Sequence, residues 1–427
     1  MFLLDQGKNL LEIWFSAPSK YAPKHFIKMQ NRETHLFRQF RNWTLQNAFP
    51  EHGLNVYDFA DTGRGLRATI QITGNIVQVP KNSLIIPQTA YRIFPSLNRS
   101  ACNSVLRQQL LIALVLCHYK IQGIASEWAP YINILPSSFN VASLIPSQLL
   151  ALMPIDIQII AENQLKNYNQ AYQNVCIELN DHPWIPSASF FRWAWFNVHT
   201  RSISLSKVKE LDGSFRNLNN IATRIILAPF LDCFNHTADI SINVFFDLCN
   251  EMFTISTNHI YEPGQQVFIN YGPHDNNFLF AEYGFMIENN LYNSVCMDGR
   301  VSEFFGKQSQ GLIQILISHG MFNDYFVSNS DRGFRMASAV RLWLCGESSA
   351  GVNEWKKLQI SNGCFSDSKK ELKVSIIIAN LLKEQLRVNQ ENLRQINELF
   401  LISIDPYVIH CCRQVLIEAI EILQSLL

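Results

Sequence analysis

Polar side chains interrupt two otherwise apolar runs of this sequence, LAPFLDCFNH at residues 227–236 and EPGQQVFINYGPHDNNFLFAEYGF at residues 262–285. The first run ends in Asp232 and an Asn235–His236 pair, at positions where a core strand would have aliphatic residues. The second begins with a Pro-Gly turn and continues into a strand-like stretch, Gln266–Tyr271. A buried Asn, His or Tyr without a hydrogen-bond partner costs about 1–3 kcal/mol. Several such groups in apolar strands therefore indicate a functional site.

Length and composition bound the class of protein. The chain has 427 residues, of which 48% are hydrophobic and 16% are charged, whereas about 25% is the usual charged fraction. Such a chain is long enough for two or three domains with a sizeable core. The formal net charge of +0 argues against a protein held on nucleic acid by counterion release, although a local basic patch remains open. We expect no direct nucleic-acid partner.

Cysteine usage and apolar runs indicate the compartment. The ten cysteines are scattered without a CxxC motif, which favours free thiols over a disulfide framework or a metal site. Charged residues at Asp5, Lys8 and Glu12 interrupt the N-terminal apolar residues, so no signal peptide is predicted. The longest apolar run, Leu110–Cys117, is much shorter than the ~20 residues of a membrane span. We expect a protein of the cytoplasm and nucleus that has no membrane association.

Three further runs carry recognisable patterns. DTGRGL at residues 61–66 lies between strand-like segments, and its GxG turn allows close backbone approach. Without a third glycine or a lysine, the pattern by itself favours a plain β-turn. SEWAPYINILP at residues 126–136 lies in a region of helical spacing, where Trp128, Pro130 and Tyr131 are expected to pack rather than to react. An aromatic-rich stretch at residues 184–203 contains Arg201, and an arginine in apolar surroundings needs a charged partner.

Taken together and in this order, the runs resemble the SET-domain protein methyltransferases, in which an NH motif and a GxxxxxxY motif cross at the active site. The closer resemblance is to the subclass typified by the plant Rubisco large-subunit lysine methyltransferase. Asp232–His236 matches the (D)xxNH run of that subclass, Gly264–Gly272 matches its GEQVxIxYG strand, and Glu282–Phe285 matches its EYGF run. The chain departs from the pattern at Gln265, where the family usually has Glu.

The resemblance implies an α+β protein. Its β-rich SET fold would be pseudo-knotted, split by a helical insert and followed by an all-helical C-terminal domain. The expected divisions are an N-terminal helical lead-in at residues 1–50, a SET domain at 51–273 with the insert at about 88–190, and the C-terminal domain at 274–427. The last of these resembles the substrate-binding domain of the Rubisco methyltransferases, and helical periodicity beyond residue 290 agrees with it.

The resemblance also assigns roles to individual residues. Tyr271 would be the catalytic tyrosine. The residues that would bind S-adenosylmethionine are Thr62, Gly63, Arg64, Arg201, Asn235, His236, Tyr271 and Phe285. The residues that would line the substrate side are Arg201, Asp232, Tyr271 and Tyr283. The hairpin residues and His236 would act through main-chain groups, and Asn235 would act through its side chain. His199, His274 and Cys233 are expected to be structural, and no metal site is expected.

The implied reaction is methyl transfer to a lysine of a histone or non-histone protein, by a monomeric enzyme. In-line transfer needs a neutral amine, whereas a lysine in water has a pKa near 10.4, so an apolar channel must favour the uncharged form. Two alternatives remain. The first is transfer to histidine, as in one branch of the subclass that carries a polar residue near the position of Phe245 or Phe246. The second is a catalytically idle SET fold that serves as a protein-binding module.

Overall fold

The computed structural model describes residues 24–97, 104–205, 223–247, 249–306, 309–360, 363–399 and 404–427, with side chains from residue 35 onward. The predicted N-terminal lead-in appears as a helix of 23 residues, Lys24–Gln46, and residues 1–23 of the lead-in lie outside the described part.

Strands and helices alternate in blocks along the chain. The strands are β1 Leu54–Phe59, β2 Gly63–Ala68, β3 Ile72–Pro80, β4 Ile203–Ser204, β5 Ile225–Ile226, β6 Asn235–His236, β7 Ile242–Asp247, β8 Met252–Tyr261, β9 Gln266–Ile269, β10 Val295–Cys296 and β11 Phe326–Val327. The helices are α1 Lys24–Gln46, α2 Pro87–Ile93, α3 Val105–Gln122, α4 Ala129–Ile132, α5 Ser147–Leu150, α6 Ile155–Glu178, α7 Ala188–Arg201, α8 Asn276–Tyr283, α9 Asp298–Phe305, α10 Gln310–Ser318, α11 Phe334–Cys345, α12 Ser349–Ile360, α13 Ser368–Glu398 and α14 Pro406–Leu426.

The first sheet joins the two polar runs. Its strand order is β1-β2-β9-β6, in which the first three strands are antiparallel neighbours. Strand β6 pairs in parallel with β9, so that Asn235 lies opposite Phe268 and His236 opposite Ile269. The Asn-His pair therefore runs beside the strand that leads to Tyr271, which is the crossing of the two motifs that the resemblance implies.

A second sheet forms the other half of the β-rich part. Its order is β3-β8-β7, with antiparallel pairing throughout. Buried side chains such as Val79, Phe246 and Phe253 join it to the same core as the first sheet. Because successive strand residues face opposite sides, the alternate residue Phe245 is only half-buried.

Helices α2 to α6 fill the interval between β3 and α7, where the sequence predicts a helical insert. Helix α3 begins at Ser104, whose side chain accepts a hydrogen bond from the backbone N–H of Arg107, and its Leu110–Cys117 segment is completely enclosed. The run at 126–136 is packed as predicted, because Trp128 is buried and stacks on Tyr119 with a centroid distance of 5.2 Å.

The C-terminal part is helical, as predicted, and it contacts the insert. Helices α13 and α14 pack against each other and form a core with α9 to α12. A separate cluster joins Leu149 and Ile157 of the insert to Cys411 and Val415 of α14. In the described part of the chain, no helix has both the length and the apolarity needed to cross a membrane.

Candidate active site

Tyr271 is fixed at both ends by the Asn-His run. Its hydroxyl donates a hydrogen bond to the backbone carbonyl of Phe234 at 2.6 Å. Its backbone N–H donates to Nδ1 of His236 at 3.1 Å, and the two rings are stacked with centroids 5.1 Å apart. The parallel pairing of β6 with β9 thus places the predicted catalytic tyrosine against the NH motif.

The hydrogen bond at Nδ1 also decides which tautomer the neutral His236 ring adopts. Because Nδ1 accepts the N–H of Tyr271, the neutral ring carries its proton on Nε2. Burial lowers the pKa of His236, so the ring is uncharged at neutral pH. Nε2 is buried and has no hydrogen-bond partner among the described residues. The His236 ring therefore orients Tyr271. That this ring takes no part in proton transfer stays a prediction from the sequence.

Asn235 joins the same strand to the first hairpin. Its Nδ2 donates to the backbone carbonyl of Arg64 at 3.0 Å and to that of Thr62 at 3.3 Å. Gly63 lies between them with φ of +67°, a conformation that glycine adopts without a steric penalty. The structure thus brings together the hairpin and the asparagine that are predicted to bind the cofactor.

Two residues of this contact were missed by sequence reasoning. A Cβ on Gly65 would lie 2.8 Å from Nδ2 of Asn235 and 2.5 Å from Nε2 of Gln266, so only glycine lets these side chains approach. Gln266 also accepts a hydrogen bond from the Thr62 hydroxyl at 2.8 Å. The second glycine of the GxG turn was a usable signal for Gly65. No local pattern indicated Gln266.

A cavity of about 810 Å³ is lined in part by Tyr271. Its lining includes all four residues predicted for the substrate side, which are Arg201, Asp232, Tyr271 and Tyr283. Phe245 lines the cavity as well, whereas Phe246 is 1% exposed and belongs to the core. Of the two phenylalanines, Phe245 is therefore the one that lines this cavity.

The charged groups of this cavity neutralise each other. Arg201 donates to the backbone carbonyl of Asp232 at 2.6 Å and lies 3.4 Å from its carboxylate. Burial raises the pKa of Asp232, and the neighbouring guanidinium opposes that change. Burial has the largest single effect on the pKa of Arg201 and lowers it, but Asp232 together with Cys233, Tyr131 and Tyr271 raises the pKa by more, so the net pKa is raised. This ion pair supplies the partner that the sequence requires for Arg201.

Tyr131 is a third member of this network. Its hydroxyl donates to the Asp232 carboxylate at 2.9 Å, and its side chain is completely buried. Sequence analysis expected Tyr131 to pack only, because nothing in the local pattern shows a partner 101 residues away. The residue therefore packs and also holds the carboxylate.

Aromatic rings form the remaining wall. The centroid of Tyr271 lies 5.4 Å from that of Tyr283 and 6.1 Å from that of Phe285. Helix α8, which ends at Tyr283, is capped by Asp275 at its start and terminated by Gly284 with φ of 83°. Burial, followed by the nearby Glu282, raises the pKa of Tyr283 to about 12, and burial raises that of Tyr271 as well. Both phenols are therefore neutral hydroxyl groups.

The other histidines and cysteines do not assemble into a metal site. Within the described ranges, no group of three or more His, Cys, Asp or Glu side chains is arranged to hold a metal ion. His274 stacks on Phe278 at a centroid distance of 4.2 Å, and His199 pairs with Glu282 at 2.8 Å. His274 and His199 thus each have a partner within the fold.

Comparison with known proteins shows which proteins this chain is similar to. No protein-family model matches the chain. The sequence is 26% identical to human SET domain-containing protein 4 over 356 residues, which are 80% of this chain and 79% of the human protein. It is 30% identical to the ribosomal lysine N-methyltransferase set11 of Schizosaccharomyces pombe over 229 residues, 52% of this chain and 55% of that protein.

The fold is that of a solved SET domain. The SET domain of LSMT, crystallised with lysine and AdoHcy, superposes with a TM-score of 0.62 at 16% identity and covers 92% of this chain and 90% of that one. The α+β SET fold predicted from the sequence is therefore confirmed, and so is the similarity to animal SET domain-containing protein 4 that DTGRGL and SEWAPYINILP predict. The chain thus has the fold of the LSMT SET domain, and its sequence is similar over most of its length to SET domain-containing protein 4.

Proposed function

We propose that this chain is a protein-lysine N-methyltransferase that uses S-adenosylmethionine. The observation that carries the proposal is that Tyr271 contacts residues of both predicted halves of the site. The tyrosine contacts His236 and Phe285, and it also lines the cavity that contains Arg201 and Asp232. The relatives named as lysine methyltransferases and the lysine-bound SET domain support the same activity.

The residues near the first hairpin fit the cofactor. Thr62, Gly63 and Arg64 would hold it through backbone groups, together with Asn235, His236, Phe285 and Arg201. Gly65 lets the side chain of Asn235 approach the hairpin, and Nε of Arg201 is buried without a partner among the described residues. When bound, S-adenosylmethionine supplies a methyl group that is activated by attachment to a positively charged sulfur.

The chain's own residues prepare the acceptor amine. The aromatic rings of Phe245, Tyr271 and Tyr283 line the cavity, and their low polarity favours the neutral amine over the ammonium. The Asp232 charge is already compensated by Arg201, so it does not counteract that preference. The fixed hydroxyl of Tyr271 and the carbonyl of Phe234 offer polar atoms at which the amine can be aligned.

The finer assignments belong to the same proposal. The substrate is a lysine-bearing histone or non-histone protein, which the helical domain at 274–427 would hold. The enzyme acts as a monomer in the cytoplasm and nucleus. Neither the near-zero charge of the chain nor its composition selects one protein substrate.

Histidine remains the competing acceptor, and one observation favours lysine. Phe245 is the residue that lines the cavity, so the wall is apolar where the histidine-specific branch carries a polar residue. The binding-module alternative requires loss of the site, whereas Asn235 and Tyr271 are both present. Asn235 donates to the backbone carbonyl of Arg64, and Tyr271 donates to that of Phe234.

Transfer of a radiolabelled methyl group from S-adenosylmethionine into a whole-cell protein extract tests the proposal. Wild type is compared with Tyr271→Phe and with Tyr292→Phe, a control at a tyrosine that is 44% exposed. The expected result is methyl-lysine in hydrolysed protein, lost in Tyr271→Phe and retained in the control.

The other outcomes separate the alternatives. Label recovered as methyl-histidine would keep the site and replace the acceptor. Binding of S-adenosylmethionine without transfer would favour the binding module. Absence of binding by folded protein would contradict the assignment as a whole.

A further inference from the structure

A second cavity lies between helix α1 and the first hairpin. Its volume is about 530 Å³, and it shares no lining residue with the active-site cavity. Arg38, Arg41 and Arg67 line it together with Phe37 and Tyr57. The proposed methyl transfer makes no use of this cavity.

One wall of the cavity is an edge strand. Among the described residues, β1 pairs on one side only, with β2. Ala68 of β2 turns its peptide groups toward the segment that leads into β9. Its N–H donates to the carbonyl of Gln265 at 2.9 Å, and its carbonyl accepts from the N–H of Gly264 at 2.8 Å. Peptide groups alternate in direction along an antiparallel pair. The residues opposite Ala68 and Leu66, Leu54 and Val56, therefore turn their peptide groups away from β2.

The charges around this edge are mostly positive. Arg38 and Arg41 lie one turn apart on α1, and the Arg67 guanidinium lies 4.0 Å from the ring centroid of Tyr57. Asp58 is the single acidic residue of the lining. Burial, followed by the nearby Arg41, lowers the pKa of His52 to about 4, so this neighbouring imidazole is neutral. Three arginines therefore face one carboxylate at the edge of the strand.

We propose that the outer edge of β1 binds an extended, acidic segment of a partner protein by strand addition. The peptide groups of Val56 and Asp58 would pair with the backbone of the incoming segment. Alternate side chains of that segment point to the same face, so a series of carboxylates would meet Arg38, Arg41 and Arg67. The site is separate from methyl transfer, and its failure would leave the proposed function intact.

A peptide fits this surface better than a nucleic acid does. Single-stranded nucleic acids are bound by successive aromatic platforms beside a basic groove. Here the one exposed ring of the lining, Tyr57 at 41% exposure, is already covered by the Arg67 guanidinium. An unpaired strand edge complements a peptide backbone, and it has no comparable use for a sugar-phosphate chain.

Fluorescence anisotropy with a labelled peptide of five Thr-Glu repeats tests the proposal on the full chain. We expect binding that weakens as salt rises from about 50 to 200 mM. Arg41→Glu should weaken it about tenfold or more, and Asp58→Asn should strengthen it a few-fold. Arg387→Glu is the matched control, because Arg387 is an exposed arginine far along the sequence on α13, and it should leave binding unchanged.

Two measurements isolate the strand-addition step. Val56→Pro removes one N–H from the outer edge and should abolish most of the binding while thermal stability is retained. The same peptide with N-methyl groups on alternate residues should fail to bind wild type. Equal binding of the N-methylated peptide, stronger binding of a single-stranded oligonucleotide of equal charge, or no binding of the Thr-Glu peptide would each overturn the proposal.

Discussion

Nε2 of His199 lies 2.8 Å from the carboxylate of Glu282, and this contact joins the helix ending at Arg201 to the helix ending at Tyr283. Both side chains are mostly enclosed, with exposures of 17% and 25%. Gln164 of α6 completes the junction, because its Nε2 donates to the backbone carbonyl of Ala281 at 2.8 Å and lies 3.2 Å from Nε2 of His199. These contacts therefore connect the two helices whose last residues, Arg201 and Tyr283, line the cavity beside Tyr271.

Breaking this pair is expected to reduce methyl transfer although neither residue lines the cavity. His199→Ala and Glu282→Ala should each lower kcat/KM by roughly 3- to 10-fold, and the double variant should be little worse than either one. Initial rates of methyl transfer to one protein acceptor, measured for the single and double variants, show whether the two substitutions are additive. Glu303→Ala, which breaks an ion pair on α9, is the matched control. Fully additive losses in the double variant would refute the coupling.

Gly65→Ala should weaken binding of S-adenosylmethionine more than it affects stability. The added Cβ would displace Asn235 from the carbonyls of Thr62 and Arg64, so the predicted cofactor residues would lose their arrangement. We expect the dissociation constant to rise about tenfold or more, measured by isothermal titration calorimetry with sinefungin. Gly299→Ala is the control, because a Cβ there meets no atom within 4 Å. Unchanged affinity in Gly65→Ala would separate the hairpin from cofactor binding.

Phe245 and Phe246 should respond differently to the same substitution. Phe245→Asn places an amide on the cavity wall, and we expect it to lower lysine methylation about tenfold with little loss of stability. Phe246→Asn buries an amide in the core and should lower the free energy of unfolding by about 3 kcal/mol or more. Urea denaturation and methyl-transfer rates on both variants distinguish these effects. An unchanged rate for Phe245→Asn would remove this residue from the acceptor side.

Much of the site follows from the sequence because its motifs are short, ordered and local. The NH pair, the strand that leads to Tyr271 and the run ending at Phe285 are each recognisable without knowledge of the fold. The fold brings them together through the parallel pairing of β6 and β9. Resemblance implied that crossing, but strand periodicity alone could not show it.

The supporting contacts were beyond sequence reasoning because they join distant residues of ordinary type. The hydroxyl of Tyr131 reaches Asp232 across 101 residues, and Gln164 reaches Ala281 across 117. His199 was interpreted as an isolated structural histidine, since its partner Glu282 lies on another helix. Such pairs depend on helix packing, for which a single sequence has no local signal.

The buried carboxylate of Asp156 likewise could not be predicted from the sequence. An acidic residue in the first turn of a helix is usually exposed and stabilised by the helix dipole. Here burial raises the pKa of Asp156 from 3.8 to about 6, with Asp275 adding to the rise and a hydrogen bond from Asn277 opposing it. One carboxylate oxygen is buried without a hydrogen-bond partner among the described residues. The ionised carboxylate is therefore an unfavourable group in the folded state.

Asp156→Asn should consequently stabilise the protein at neutral pH. Because the folded pKa lies above the unfolded value, the folded state binds more protons between about pH 4 and pH 6. The contribution of Asp156 to stability is complete below the unfolded pKa and is lost as pH rises through the folded pKa. At pH 7 the variant should gain on the order of 2–3 kcal/mol relative to wild type, since one pKa unit corresponds to about 1.4 kcal/mol.

Urea denaturation of both proteins between about pH 3 and pH 8, a range that begins below the unfolded pKa of Asp156, measures this difference. Other groups titrate in the same range. His52, whose buried imidazole has a pKa lowered to about 4, loses its contribution as pH falls. That contribution is common to both proteins and cancels when they are compared. The difference should therefore grow from near zero at the acidic end to a plateau above about pH 7. A difference that is constant across the range would show that Asp156 does not titrate with the raised pKa.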